Sequence, residues 1–400
     1  MNRLLTVFLF SLFLISCREN VNVHNALHHV VFDLPSIDIR SISENDMVQM
    51  ADFVDSVIHI KLETIDESLI GNISQVLFLD SLLIIQDRQT HSVFLFDKNG
   101  QFIRTIGRRG QGPGEFATLG RVMLDADNRQ IIVFDSALNK VIFYNLDDGA
   151  FIREVTQFAG GVMILDIINL PNGNFLCYNF DQNLGHQYSG LWEVDSNGEY
   201  IRTLLPPNTG LPFMLNRHGS YFYHLSDGGI GLAAGDVDVI YHFRQDTLTT
   251  FLAYHIRNRT TAEDIRHRNR RRNVNNWEVF DHTSKGMTYE RGNYIFSEWA
   301  ADGAPRTISV FSKRDNSIIA IGLPTFRCYR LATFGSNIVP SNDTGSLVVV
   351  VDASLVSSYL EHPLMSSELV RNKLLELTYG MSEREIEDMN PIIQILHIRQ

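Results

Sequence analysis

The residues whose types and spacing most suggest ligand chemistry in this chain are arginines. Seven lie between positions 257 and 272, although the 400-residue chain is acidic, with 46 Asp and Glu against 34 Lys and Arg. Guanidinium groups pair with phosphate and carboxylate, so the cluster could bind an anionic ligand or lipid headgroups. Glu263 and Asp264 lie one helical turn from Arg266 and Arg268, so a solvated face with local ion pairs is the simpler interpretation. The cluster comprises Arg257, Arg259, Arg266, Arg268, Arg270, Arg271 and Arg272.

Four further side chains are candidates for ligand contact. His224, Glu298 and Arg330 lie in or beside predicted strands, from which they could converge on a substrate or a metal. Isolated polar residues at strand ends are more often satisfied within the structure or by water. Trp277 is either a stacking platform for a sugar or an apolar plug that holds its loop, and we prefer the plug.

Motifs for catalysis or metal binding are absent from the sequence. It contains no Gly-x-Ser-x-Gly elbow, no His-Glu-x-x-His pair and no Cys-x-x-Cys pair. The segment Asp125-Ala126-Asp127-Asn128 begins like a calcium loop, but the glycine and the glutamate that such a loop requires are missing, so we interpret it as a turn. No catalytic residue, metal ligand or cofactor is therefore predicted. A divalent metal such as calcium is the alternative.

Composition limits the class of protein. With 44% hydrophobic and 20% charged residues the chain is globular, and its net charge of −12 argues against binding to nucleic acid. Three cysteines are too few for a disulfide scaffold. Cys177 and Cys328 lie in or beside predicted strands, so they are expected to be buried free thiols, with a mutual disulfide as the alternative.

The elements that must position these side chains repeat along the chain. A strand, a turn and a second strand recur with the turn marked by Asp97, Asn145 and Asp195, at spacings of 48 and 50 residues. Each unit has a further pair of apolar strands upstream, joined by a turn rich in Asp, Asn, Pro or Gly. Four short strands with a period near 50 are typical of a β-propeller blade.

Six such units can be recognised along the chain. They predict an all-β fold with six four-stranded antiparallel blades over residues 51–400. The sixth unit has only two strands in sequence order, at 329–334 and 347–351. We expect the segments 54–62 and 391–398 to complete it, because pairing both ends of the chain closes the ring and removes exposed strand edges.

Two predicted insertions interrupt the blades. Residues 257–290 form the basic insertion that carries the arginine cluster. Residues 353–389 form a helical insertion, in which Val370, Leu374 and Leu377 have helical spacing before a stop at Gly380. Ser382 then begins the pattern of a capping box for a further helical turn.

The amino terminus predicts export and anchoring. Arg3 precedes an apolar run over residues 4–15 that is too short to span a membrane. The run ends in Leu-Ile-Ser-Cys17, which resembles the lipobox of bacterial lipoproteins, so residues 1–16 are predicted to be a signal peptide and Cys17 the lipidation site. An ordinary secretory signal with a chance cysteine is the alternative. Residues 17–50 are then a tether or an arm along the domain surface.

A family resemblance rests mainly on one stretch. Residues 106–116 read IGRRGQGPGEF, and with the strands that follow they look like an NHL-type repeat. Together with the lipobox this resembles the six-bladed β-propeller lipoproteins of Gram-negative bacteria. The resemblance implies a fold and a place in the cell envelope, on the outer membrane, but no reaction. Arg108 and Arg109 would lie at the rim of the channel and contact a ligand, or else pair with Glu115 or a neighbouring blade.

Two functions follow as hypotheses. The first is a monomeric, lipid-anchored binding or scaffold module for a glycan, a peptide or a protein of the envelope, in which catalysis is not predicted. The second is a metal-dependent lyase or lactonase that uses the propeller channel. Three or more ligand side chains that converge on the axis would favour the second hypothesis.

Overall fold

The computed structural model describes most of the propeller. The described residues are 32–37, 41–42, 46–179, 188–206, 220–233, 239–256, 283–301, 307–326, 329–330, 338–354, 356, 360 and 368–400. The predicted signal peptide, Cys17, the arginine cluster, Trp277 and Cys328 lie outside these residues.

The chain forms a six-bladed β-propeller with four antiparallel strands in each blade, as predicted. The first strands in the chain are β1 (Phe32–Ile37), β2 (Met47–Gln49) and β3 (Val54–Lys61). Blade 1 consists of β4 (Ile73–Leu79), β5 (Leu82–Asp87), β6 (Ser92–Asp97) and β7 (Phe102–Ile106). Blade 2 consists of β8 (Leu119–Asp125), β9 (Gln130–Asp135), β10 (Lys140–Asn145) and β11 (Phe151–Val155). Blade 3 consists of β12 (Asp166–Asn169), β13 (Phe175–Asn179), β14 (Gly190–Val194) and β15 (Tyr200–Leu205).

The remaining blades follow the same order from the axis outward. Blade 4 consists of β16 (Phe222–His224), β17 (Ile230–Leu232), β18 (Val239–Arg244) and β19 (Thr247–Ile256). Blade 5 consists of β20 (Thr283–Arg291), β21 (Tyr294–Ala301), β22 (Thr307–Ser312) and β23 (Ser317–Phe326), with the short β24 (Tyr329–Arg330) paired to β23. Blade 6 consists of β25 (Ile338–Val339), β26 (Ser346–Val351), β27 (Ile392–Ile398) and β3.

The hydrophobic core lies between the blades. Among the described residues, each pair of neighbouring blades encloses its own cluster of buried apolar side chains. Strand β26 reads SLVVVV and is buried along its whole length, because a middle strand packs against a neighbouring blade on each face. The continuous apolar runs of the sequence are therefore middle strands rather than half-exposed ones.

Both ends of the chain close the ring, as the sequence predicted. Strand β27 pairs antiparallel with β3 from Ile392 opposite Lys61 to Ile398 opposite Val54. The outermost strand of blade 6 therefore comes from the amino-terminal side of the chain and the inner three from the carboxyl-terminal side. This pairing joins segments more than 330 residues apart in the sequence.

Two strand predictions are wrong. The segment that begins at Tyr329 was expected to be the first strand of blade 6, but β24 pairs with β23 of blade 5, and β25 takes the inner position of blade 6. Residues 283–290 were assigned to the basic insertion, but they belong to β20, the innermost strand of blade 5. The alternation of polar and apolar residues in β20 is weak, and that is why its pattern did not distinguish it from the preceding segment.

Part of the segment 17–50 forms an arm along the blades. Strand β1 pairs in parallel with the outermost strand of blade 4, and β2 pairs in parallel with the outermost strand of blade 5. The two added strands cover edges that would otherwise expose unpaired N–H and C=O groups.

The described part of 353–389 is helical, as predicted. Helix α1 (Glu368–Leu377) ends before Gly380, which has a positive φ, and helix α2 (Glu383–Glu387) begins after a capping box between Ser382 and Glu385. Leu374 and Ile386 pack with Val351 at the end of β26. Within the described residues no helix is long and apolar enough to cross a membrane.

Candidate functional site

The turns of the blades define two faces of the ring. Because strands alternate in direction, the loops between second and third strands and the connections between blades emerge on one face, which we call the connection face. The turns between first and second strands and between third and fourth strands emerge on the opposite face, the hairpin face. The side chains of Asp97, Asn145 and Asp195 accept backbone N–H groups in the hairpin-face turns, at distances of 2.8–3.2 Å. These residues occupy the same turn in successive blades.

The innermost strands surround a small polar cavity on the propeller axis. Its volume is about 10 Å³, which is room for roughly one water molecule. Polar side chains from blades 1, 2, 4, 5 and 6 line it, and blade 3 contributes Asp166 through an ion pair described below. These lining side chains are Gln75, Arg121, Ser220, His224, Arg291 and Ser341.

A buried ion pair joins blades 2 and 3 beside this cavity. Arg121 Nη1 lies 3.1 Å from Asp166 Oδ1, and the two side chains are only 10% and 6% exposed. Asp166 Oδ2 also accepts hydrogen bonds from Ser220 Oγ at 2.6 Å and from the N–H groups of Tyr221 and Phe222 at 2.7 and 3.2 Å. The carboxylate thus binds the first strands of three consecutive blades together, and its lone pairs are used by the protein itself.

Arg291 of blade 5 is the second guanidinium at the cavity. It is 1% exposed, and it donates from Nε to the Ser346 carbonyl at 2.5 Å and from Nη1 to the Glu290 carbonyl at 2.8 Å. Its guanidinium also lies over the Tyr289 ring, 5.6 Å from the centroid. Among the described residues, no carboxylate lies within ion-pair distance of Arg291.

His224 is the one predicted site residue that the structure places at the cavity. Burial lowers the pKa of its imidazole to about 4, and repulsion by Arg121 and Arg291 adds to this effect. The imidazole is therefore neutral near pH 7. Among the described residues, the Arg121 and Arg291 guanidinium groups line the cavity, and the Asp166 carboxylate pairs with Arg121.

A second buried polar cluster lies between blades 4 and 5. His242 Nδ1 lies 2.5 Å from Arg244 Nη1, and because a guanidinium can only donate, the ring hydrogen is assigned to Nε2, which lies 3.2 Å from Glu290 Oε2. Lys313 Nζ lies 2.9 Å from the other carboxylate oxygen. Burial lowers the pKa of His242. The pKa of Glu290 is also lowered, because His242 and Lys313 together outweigh the effect of burial, which alone would raise it. His242 is fully buried, so the cluster is a structural link between blades.

The glycine-rich connection between blades 1 and 2 holds Arg108 in a salt bridge. Arg108 Nη2 lies 2.6 Å from Glu115 Oε1, and the Arg108 side chain is 80% exposed. The Gly112 N–H and then Arg108 hold the pKa of Glu115 below its ordinary value. Arg109 is exposed on the same connection. Arg108 therefore makes the pairing with Glu115 that the sequence offered as an alternative to ligand contact, and both arginines lie on the connection face.

The other predicted residues do not join the axial cavity. Glu298 lies in β21, the second strand of blade 5, where its side chain approaches the backbone of Gly286. Arg330 lies in β24, on the outer side of blade 5 rather than in an inner strand. Cys177 is a buried free thiol in β13, and burial raises its pKa. Within the described residues, no group of three or more His, Cys, Asp or Glu could hold a metal ion.

The axial residues that the sequence analysis missed do carry a signal. Gln75, Arg121 and Asp166 each interrupt or begin an apolar first strand, and they are spaced by 46 and 45 residues. A polar residue at one repeated position of a buried strand indicates a shared polar axis. Arg291 was missed because its strand was assigned to the basic insertion.

These features define a closed six-bladed β-propeller whose narrow axis is lined by polar side chains, two of them arginines. Residues 34–397 match the family described as Domain of unknown function (DUF4934), and the chain belongs to this family. No curated protein matches the chain in sequence.

Two solved structures share the fold. The chain is similar to a candidate exported protein of Bacteroides fragilis NCTC 9343, with 16% identity and a TM-score of 0.71 over 93% of this chain and 100% of that one. It is also similar to a member of the DUF4221 family from Bacteroides vulgatus, with 13% identity and a TM-score of 0.52 over 86% of this chain and 97% of that one.

Proposed function

We propose that the protein is a lipoprotein of the cell envelope, anchored through Cys17 on the outer membrane, whose propeller is a binding or scaffold module. Its partner would be a glycan, a peptide or an envelope protein bound on the connection face. The observation that carries the proposal is the size of the axial cavity: at about 10 Å³ it is far too small for an organic substrate, so recognition falls to a face of the ring.

The direction of the amino-terminal arm favours the connection face. Strand β1 runs parallel to β19, from Phe32 opposite Leu252 to Ile37 opposite Ile256, and β19 ends at the connection face. Within β1, Phe32 is therefore the end nearer to the hairpin face. The fourteen residues between Cys17 and Phe32 can span at most about 50 Å. An anchor at Cys17 would then turn the hairpin face toward the membrane and leave the connection face accessible.

The chemistry of the connection face also fits such a role. Arg108 and Arg109 lie on a connection whose backbone is held by hydrogen bonds of Gly112 and Gly114 to neighbouring side chains, so the backbone that carries them is ordered before a ligand binds. The similarity to a candidate exported protein supports export, and the lipobox supports the anchor.

The anchor is tested by replacing Cys17. In the native host, Cys17→Ala should move the protein from the membrane fraction to the soluble fraction and abolish labelling by a fatty-acid analogue. Cys177→Ala is the matched control, because its thiol is buried in β13, and it should stay in the membrane fraction and stay labelled. A Cys17→Ala protein that still fractionates with membranes contradicts the anchor.

The binding role is tested on the chain from residue 18 onward, with glycan arrays and libraries of envelope-derived peptides. We expect Arg109→Ala to weaken the binding of a retained ligand at least tenfold. Arg314→Ala removes an exposed arginine from a hairpin-face turn and should leave binding unchanged. Equal losses in the two variants, or no ligand in either screen, would argue against a binding module that uses the connection face.

A further inference from the structure

Within the described residues, the two guanidinium groups at the axial cavity have one carboxylate in contact with them. Arg121 and Arg291 both line the cavity, whereas the carboxylate of Asp166 pairs with Arg121 alone. Asp343 and Glu290 attract Arg291 from beyond ion-pair distance. Glu290 is in contact with His242 and Lys313, and Asp343 accepts the Gly345 N–H at 2.8 Å. In the part of the chain that the structure describes, Arg291 therefore has no opposite charge in contact.

Hydrogen-bond donors at the cavity are also left over. Arg121 Nε is buried and has no hydrogen-bond partner within the described part of the chain. Arg291 uses Nε and Nη1 on backbone carbonyls, and these neutral partners do not compensate its charge. A buried guanidinium without a counter-charge is unfavourable, because the lost hydration is not replaced by an equivalent interaction.

We propose that the axial cavity binds a compact monovalent anion, of the halide class and most simply chloride, between Arg121 and Arg291. The volume of about 10 Å³ accepts one particle of roughly the size of a water molecule and excludes phosphate, sulfate and organic carboxylates. Ser341 and Gln75 line the same space with a hydroxyl and an amide that can donate to an anion, whereas Ser220 Oγ already donates to Asp166.

His224 lines the same cavity and lies close enough to both guanidinium groups for their charges to act on it. Burial is the main reason for the low pKa of His224, but Arg121 and Arg291 both contribute by repulsion, so the charges of the two guanidinium groups reach the cavity wall. The neutral imidazole can offer a ring N–H to an anion. The anion is a structural ligand that closes the centre of the ring, and it does not depend on the proposed partner at the connection face.

The direct experiment is crystallography of the purified protein in sodium bromide, with the bromide located by anomalous scattering. An anomalous peak in the cavity between Arg121 and Arg291 is the expected result. Bromide only at other positions, or a water in the cavity with no anomalous signal, overturns the proposal.

A second experiment measures the melting temperature at constant ionic strength while chloride replaces gluconate. We expect the melting temperature to rise with chloride concentration. Above the dissociation constant it should increase by a constant amount for each tenfold increase in chloride. Arg291→Met should abolish this dependence, and Arg291→Lys, which keeps the charge, should retain part of it if the Met variant does not fold. Arg153→Met is the matched control, since Arg153 stacks on Phe143 away from the cavity, 3.8 Å from the ring centroid. Identical melting temperatures in the two salts overturn the proposal.

Discussion

Arg121 and Asp166 form a salt bridge of 3.1 Å that links the innermost strands of blades 2 and 3 inside the ring. Both side chains are at least nine-tenths buried, and Asp166 also accepts the N–H groups that begin blade 4. Asp166→Asn should therefore lower the free energy of unfolding by about 3–5 kcal/mol, because it leaves the Arg121 charge buried without its partner. Urea denaturation at pH 7 measures this change.

Asp147→Asn is the control for the buried ion pair. Asp147 pairs with Arg129 at 2.6 Å on the surface, where the two side chains are 56% and 42% exposed. Its loss should cost less than about 1 kcal/mol, since water screens the pair. Similar losses for Asp147→Asn and Asp166→Asn would show that the axial pair does not hold the blades together.

Gly100 lies against the strand that closes the ring. Its φ is +84°, and an added Cβ would lie 2.1 Å from the Lys61 carbonyl oxygen of blade 6. Gly173 has nearly the same φ, +85°, but nothing lies within 4 Å of its added Cβ. Gly173→Ala should cost about 1–2 kcal/mol for the backbone conformation alone, and Gly100→Ala should cost clearly more because β3 must move. Thermal unfolding of the two variants separates the effects, and equal losses would exclude the steric contribution.

Asn390 ties the end of the chain to its amino-terminal side. Its side chain donates to the carbonyls of Glu63 and Ser68 at 2.8 and 2.7 Å and accepts the Ile70 N–H at 2.9 Å. Asn390→Asp removes both donors, so we expect a loss of about 2–4 kcal/mol in the free energy of unfolding, measured in urea.

Asn172→Asp is the matched control for Asn390→Asp. Asn172 is exposed in a hairpin-face turn, and its side-chain oxygen accepts the Asn174 N–H at 3.0 Å, a contact that aspartate retains. The change should stay within about 0.5 kcal/mol. If Asn390→Asp is equally mild, the ring closure depends on strand pairing alone.

The buried histidines predict a loss of stability in acid. The pKa of His224 is about 4 in the folded protein against 6.5 for the free side chain, so the unfolded chain binds more protons between these values. The stabilisation is complete above about pH 6.5 and is lost as the pH falls toward 4. His224 alone accounts for up to about 3 kcal/mol. His59 and His242 also have lowered pKa values and act in the same direction.

Urea unfolding at pH 7 and pH 4.5 tests this dependence. His224→Gln should show a smaller drop in the free energy of unfolding between the two pH values than the wild-type protein. His255→Gln, at an exposed position of β19, should show the same drop as wild type. If His224→Gln loses as much free energy of unfolding between pH 7 and pH 4.5 as the wild-type protein does, then His224 takes up its proton in the folded state and its pKa is not lowered by folding.

Local patterns in the sequence were enough to predict the architecture. The turn residues Asp97, Asn145 and Asp195 recur at a blade-sized period, and the structure places each in the same turn. The closing strands and the capping box at Ser382 were predicted for the same reason, since apolar runs, turns and caps depend on residues close together in the chain.

The first strand of blade 5 shows where local patterns fail. Strand β20 reads TSKGMTYER, with polar residues that face the axis and others that face a neighbouring blade. When polar residues lie on both faces of a strand, polar and apolar residues do not alternate along it. The sequence of β20 therefore could not be distinguished from the polar, arginine-rich segment before it. Glu290 and Arg291 were lost from the predicted site for this reason.

Patterns along the chain predict the blade repeat, the closure of the ring by both chain ends and the candidate lipidation site at Cys17. Only the tertiary structure decided which side chains meet on the axis. Arg121, Asp166 and Arg291 are separated by 45 and 125 residues and lie on three different strands. Their proximity follows from the closed ring, which turns the first strand of every blade toward one line, and no pattern within a single strand encodes that convergence.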